Sequence, residues 1–244
     1  MSDETKKTMD EALEDLFAES KSNIEQIVEL PSKGMGYPGG KSKVTIRTMT
    51  FDDEKALSES TPDQDVIDLL LSRCAQDIDP EMLYSADKIF LLFKIRELSY
   101  GTSVKLAGPC SKCKTTNNLD VDLSKLEVIP ISDDFEDPKK VSLPDLGKDI
   151  HIRIPRSNDL EYLSNKSMIL SNLWRFITKL DRYTDPRVIT AAIKKLTSKD
   201  VRLVIEGLLV EDFGIQNSAK YICTQCRSEN VIEVPISEAF FTLS

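Results

Sequence analysis

Apolar positions along this 244-residue chain change period several times, and the changes outline an α+β protein. Near the N terminus Met9, Leu13, Leu16, Phe17, Ile24, Ile27 and Val28 recur at helical spacing among Glu, Asp, Lys, Ser and Asn, a narrow stripe on a polar rod. Such a rod either docks on the protein's own core or serves as an arm for a partner's groove. Residues 30–40, LPSKGMGYPGG, form the densest Gly/Pro cluster, and KVTIRTMTF behind them alternates, which predicts a hairpin.

Helical patterning follows. Thr50 is placed to cap a helix whose first turn holds Asp52, Asp53 and Glu54, acids suited to the positive end of the macrodipole. Pro62 and Asp63 open a second, with Val66, Ile67, Leu70, Leu71 and Cys74 on one face. A third begins near Ser85 or Asp87, runs through IFLLFKIRELSYG and stops at Gly101. SVKLAGPCSKCKTTNNLDVDL then reads as strand, turn and return strand. Residues 127–145, rich in Asp, Lys and Pro, read as a solvated linker; DDFED lacks the spacing and glycine of a calcium loop.

Beyond it, KDIHIRIP is a strand with Ile150, Ile152 and Ile154 on one side and His151, the sole histidine, on the other. A helical segment from Asn158 carries Leu160, Leu163, Ile169, Leu170, Leu173, Trp174, Ile177 and Leu180. Pro186 opens another helix, Ser198 caps a further one, and AKYICTQCRSENVIEVPI returns to strand. The expected organisation is therefore an N-terminal helix or arm (1–29), a hairpin, helices and first cysteine turn (30–126), the linker (127–145), and a strand, helices and second cysteine turn (146–244).

Four of the five cysteines form two Cys-x-x-Cys pairs, Cys110/Cys113 and Cys223/Cys226, each in a polar turn between candidate strands. A two-residue spacer lets both sulfurs of a pair face one ion, and a structural zinc takes four thiolates in a tetrahedron. The expectation is one zinc-ribbon-like element completed by the C-terminal hairpin. The long insertion between the pairs is no obstacle, since loop-closure cost grows only logarithmically. A thioredoxin-like redox centre needs a helix directly after its Cys-x-x-Cys, and here strands follow; a metal-free knuckle is the other alternative. With no secretory signal pattern, disulfides are disfavoured. Lys114 and Arg227 stand where zinc knuckles commonly use glycine, at about 1 to 2 kcal/mol if left-handed backbone is needed. Cys74, in an apolar helical stretch, is assigned to the core.

Composition removes other classes. At 40% hydrophobic and 30% charged the chain can bury a good core. A net charge of −9, without an evident basic patch interleaved with aromatics, argues against nucleic acid. The runs 89–93 and 203–210 are too short to span a bilayer. GMGYPGGKS partly mimics a phosphate loop, but Pro38 removes a cradling amide and a strand follows instead of a helix. A lone His151 makes no catalytic dyad, and four thiolates leave no open position for a catalytic water, so no enzyme is expected.

The order LPSKGMGY, strand, MTFDDE, helix, IFLLFKIRELSYG, Cys-x-x-Cys turn and closing CTQCRSENVIEVPISEAFF resembles the baseplate hub assembly proteins of T-even-type contractile-tailed bacteriophages over most of residues 28–244. Pro31, Ser32, Gly34, Tyr37, Ser99, Tyr100, Gly101, Phe240 and Phe241 carry it. The resemblance implies a non-enzymatic assembly factor or minor subunit of the baseplate central hub, acting in the host cytoplasm during assembly or, as a subunit, carried into the virion. Its partners would be other hub proteins, with no small-molecule substrate, nucleic acid or membrane. The alternative is a zinc-ribbon module contacting nucleic acid or transcription machinery; Lys105, Lys112, Lys114, Lys220 and Arg227 near the knuckles are offset by Asp120, Asp122, Glu229 and Glu233.

Overall fold

The computed structural model describes residues 11–12, 16, 24–59, 66–209, 213–236 and 238–241. Mixed α+β architecture is as expected, with a strand hairpin near each end. Of the N-terminal helical stripe, Met9, Leu13 and Phe17 lie outside the described residues. Ile27 and Val28 belong to a strand, not to that helix: β1 (Glu25–Glu29) pairs antiparallel with β2 (Lys43–Arg47), setting Val28 opposite Val44. Only Val28 of β1 is buried, and Ile27 faces solvent, so period two wins over the helical reading.

Around this hairpin pack α1 (Phe51–Ser58), α2 (Val66–Cys74) and α3 (Ser85–Tyr100). Thr50 stands at the N-cap of α1 as expected, the Asp53 carboxylate reaches back to accept its amide at 2.8 Å, and Gly101 ends α3 at φ 82°. Asp53, fully buried, does more than cap. Its carboxylate accepts from Arg47 at 2.7 Å and from Arg73 at 2.6 Å, tying β2 to α1 and α2. The first core takes Ile46, Leu70, Leu71, Cys74, Leu91, Phe93 and Ile95, with Phe240 and Phe241 from the far end of the chain. Cys74 is wholly inaccessible, and burial pushes its thiol up to about 12, as fits a core cysteine.

β3 (Ser103–Pro109) and β4 (Thr116–Asp122) form the first knuckle hairpin, β10 (Ser218–Ile222) and β11 (Glu229–Glu233) the second. Between them β5 (Val128–Ile129) pairs with β9 (Gly214–Ile215), returning the chain to the middle.

Residues 127–145 are not a solvated linker. Ile131 is buried, and the segment includes β5 and the strand β6 (Lys139–Leu143). Asp137 accepts from the Tyr84 hydroxyl (2.7 Å), the Ile154 amide (3.0 Å) and Arg156 (3.1 Å). The same network reaches the Gly/Pro loop: Tyr37 donates to Asp87 at 2.7 Å, and its oxygen accepts from the Tyr84 amide at 2.8 Å. Gly36 lies against it at φ 75°, where a Cβ would stand 2.0 Å from the Tyr84 hydroxyl. Within the acidic run Asp137 therefore serves a buried polar joint, while Asp133, Asp134 and Glu136 face solvent.

β6 continues into a three-stranded sheet with β7 (Lys148–Ile152) and β8 (Ile177–Leu180), in the order β6-β7-β8. Ile177 and Leu180, expected in a helix, lie in β8, because both enter the core from the strand that pairs with β7. The expected long helix is broken into α4 (Leu160–Leu163), α5 (Lys166–Asn172) and a 3-10 turn over Leu173–Phe176. Asn165 restarts it by accepting from the Met168 amide. α6 (Pro186–Ile193) and α7 (Ser198–Leu209) cover the second core, built on Ile150, Ile152, Leu173, Phe176, Ile189, Val204 and Leu208. Ser198 is the first residue of α7 rather than its cap; the Thr197 hydroxyl accepts the Asp200 amide instead.

Candidate metal centre

Each knuckle is a tight turn closed by its own backbone. In the first, the Cys110 amide donates to the Thr115 carbonyl (2.9 Å) and the Lys114 amide to the Cys110 carbonyl (3.0 Å). In the second, the Cys223 amide donates to the Ser228 carbonyl (2.9 Å) and the Arg227 amide to the Cys223 carbonyl (3.0 Å). Lys114 and Arg227 take φ 63° and 59°, so the left-handed backbone expected of a knuckle is present without glycine. That turn points amides inward at sulfur.

The two turns meet. The four Sγ atoms of Cys110, Cys113, Cys223 and Cys226 lie within 4.8 Å of one another, with Cys110 3.6 Å from Cys226 and Cys113 3.6 Å from Cys223. Zinc–sulfur bonds of about 2.3 Å in a tetrahedron require sulfurs roughly 3.8 Å apart, so the donor set fits such an ion by chemistry and by spacing. All four are free thiols; Cys110 and Cys223 are inaccessible, and Cys113 and Cys226 are half-buried.

Electrostatics favours thiolates on the two inner sulfurs. Hydrogen bonds, first from the Cys113 amide and then from the Ser228 hydroxyl, lower the Cys110 thiol to about 5. The Cys226 amide similarly lowers Cys223. At Cys113 the Thr115 hydroxyl also favours the thiolate, yet burial and the facing thiols of Cys226 and Cys223 leave it raised. Thiolate charge on Cys110 and Cys223, with two further sulfurs held in the same small volume, is relieved by a cation, which also favours deprotonation of the remaining thiols.

Two side chains that the cysteine spacing did not single out join the halves. Buried Asn117, on β4, crosses to the second knuckle, where its Oδ1 accepts from the Thr224 amide at 2.9 Å and its Nδ2 lies 3.7 Å from Cys223 Sγ. Buried Asn230, on β11, crosses the other way: its Oδ1 accepts from the Ser111 amide at 2.9 Å and its Nδ2 lies 3.7 Å from Cys110 Sγ. The strings CSKCKTTN and CTQCRSEN carry the signal, since each places its asparagine seven residues after the first cysteine. Thr115 donates to Gln225, and Tyr221 donates to the Pro109 carbonyl at 3.1 Å, closing the seam.

The other sequence features stay away from this centre. The Gly/Pro loop of the phosphate-loop mimic is closed by its own turns and leads into β2, and His151 sits on the three-stranded sheet. Among the described residues, no helix is long and apolar enough to cross a membrane.

The chain matches the family described as T4 bacteriophage base plate protein over residues 23–242. No curated protein and no solved structure matches it. With nearly its whole length matched, the chain belongs to that family, and its role is the structural, non-enzymatic one of a tail base plate component.

Proposed function

We propose that this base plate family member works at the central hub, as an assembly factor or minor hub subunit, and that a four-thiolate zinc ion locks the surface it presents to other hub proteins. The observation that carries the metal part is the convergence of Cys110 and Cys113 with Cys223 and Cys226, a pair more than a hundred residues further along the chain. Zinc suits this donor set best: four soft thiolates in a closed tetrahedron select a structural ion and leave no coordination position for water. When bound, the ion would neutralise the thiolates and tie β3–β4 to β10–β11. Asn117 and Asn230 orient the sulfurs by donating to them from the opposite hairpin.

A hub function suits a molecule whose two cores are joined by buried polar contacts, since a rigid body can hold two partners at a fixed angle. Metal analysis of protein purified without chelator should give one equivalent of zinc per chain, lost in Cys223→Ser. Two equivalents, or none with an intact fold, would sink the single-site reading. Pulldown from infected cells, set beside mass spectrometry of purified virions, tests the hub assignment and separates an assembly factor from a resident subunit. Recovery with outer base plate components only would argue against the hub.

A further inference from the structure

Charge is strongly segregated along this chain. Residues 139–209 carry fourteen Lys/Arg against eight Asp/Glu, a formal +6, whereas the remainder carries eighteen against thirty-three, a formal −15. The basic stretch is the part of the fold built on the second core. One face of its sheet is covered: Gly207 of α7 lies so close to Ile152 and Val141 that a Cβ there would stand 2.9 Å from each. The other face is open, with Lys140, Ser142 and Lys179 exposed.

On that open face the register sets Lys140 opposite His151 and His151 opposite Lys179, a row across all three strands. The row lines a concavity of about 610 Å³ between the sheet and the turn at Gly147. Lys140 pairs with Asp149 at 2.8 Å and Lys148 with Asp181 at 3.3 Å. Lys179 makes no ion pair among the described residues, and His151 Nδ1 is buried with no hydrogen-bond partner. The buried, unpaired ring nitrogen is a cost to the fold, and beside it the solvent-exposed Lys179 presents a positive charge that no carboxylate among the described residues neutralises.

We propose that this face docks an acidic segment of a partner protein, with partner carboxylates meeting Lys179, Lys140 and His151. The mixed lining favours peptide over nucleic acid. Asp149 and Asp181 can accept backbone amides of an extended segment, whereas against phosphates they would only repel, and the chain's overall −9 adds to that repulsion. The inference rests on the assembly role above but not on the metal.

The test uses the full chain and a fluorescein-labelled oligo-glutamate peptide, read by fluorescence anisotropy at low and physiological salt. Wild type should bind, more weakly as salt rises, and Lys140→Glu/Lys179→Glu should lose at least about tenfold in affinity. Lys194→Glu/Lys195→Glu, an equal charge change away from the concavity, should bind like wild type. Zinc content and circular dichroism of each variant check that the fold survives, so a failure here is distinguishable from a failure of the metal reading. No binding by wild type, equal loss in both variants, or tighter binding of an oligothymidylate of matched charge would overturn the proposal. So would salt-reversible self-association abolished by Lys179→Glu, which would assign the face to a second copy of the chain.

Discussion

Asn117 and Asn230 are each other's counterpart across the knuckle seam: each leaves its own hairpin and hydrogen-bonds the turn amide and inner sulfur of the other. The arrangement means that neither Cys-x-x-Cys turn is completed by its own hairpin. Replacing either asparagine by Ala leaves a turn amide, Thr224 or Ser111, without its acceptor, which costs about 1 to 3 kcal/mol. Because these are the partners that orient the sulfurs, zinc affinity should fall about 10- to 100-fold in Asn117→Ala or Asn230→Ala, measured by competition with a chromophoric chelator. The double variant should lose less than the sum, since a seam already opened from one side has less to lose.

Lys114 and Arg227 hold left-handed backbone at φ 63° and 59°. Glycine removes the Cβ penalty there but widens the unfolded ensemble and, at 114, deletes a solvent-exposed bond from Lys114 Nζ to the Ser111 carbonyl. The net expectation for Lys114→Gly/Arg227→Gly is a gain of about 1 kcal/mol, seen as a higher Tm of the zinc-loaded protein. Alanine at the same places should bring no gain, and a Tm rise equal to that of the glycines would point to lost charge rather than relieved backbone.

How much of this was legible beforehand follows from which interactions are local. The knuckles were, because a Cys-x-x-Cys between alternating segments encodes its own turn; so were α1 and α3, through Thr50, the acids behind it and Gly101. The role of residues 127–145 was not. Asp137 looks like part of an acidic solvated run until Tyr84 and Arg156, distant in sequence, are brought against it. Ile177 and Leu180 fit a helical period as well as a strand's, and only pairing with β7 decides between them. The basic stretch was countable in the sequence yet hidden by the whole-chain average of −9, and its concave face exists only once β8 joins the sheet.

Two buried aspartates should respond to acid in opposite senses. Burial alone would raise Asp53, but hydrogen bonds from Arg47, the Thr50 amide and Arg73 overcome it and hold the carboxyl well below the usual carboxylate range. Its stabilisation is therefore present above the unfolded value of about 3.9 and is lost as pH falls through the folded one. At Asp87 burial prevails over the hydrogen bonds from Ser32 and Tyr37 and raises the carboxyl. That residue carries a cost which appears as pH climbs past about 3.9 and is complete above its folded value. At pH 7, Asp53→Asn should lose about 2 to 3 kcal/mol, below the range for a fully buried pair because Arg47 and Arg73 are partly solvated. Asp87→Asn should lose only about 1, the worth of one rearranged hydrogen bond. Urea titrations of both variants between pH 3 and 7 read the two slopes, and equal losses at neutral pH would contradict the assignment.

Removing the metal should open the seam without freeing the end of the chain. Beyond β11, Val234 is inaccessible, and Phe240 and Phe241 are buried in the first core, where the Phe240 ring lies 5.2 Å from that of Phe93. Arg96 also donates to the Phe240 carbonyl at 2.8 Å. These anchors do not depend on sulfur. Chelation should therefore raise hydrogen exchange and protease cutting at the turns around 111–115 and 224–228 first, while 234–241 stays protected and the helical core keeps most of its stability. Phe241→Ala inverts the order: a cavity in the first core costs about 3 to 5 kcal/mol and lowers Tm with zinc still bound. Early loss of protection at 234–241 on chelation would show instead that the thiolate centre, not the two phenylalanines, holds the C-terminal segment in place.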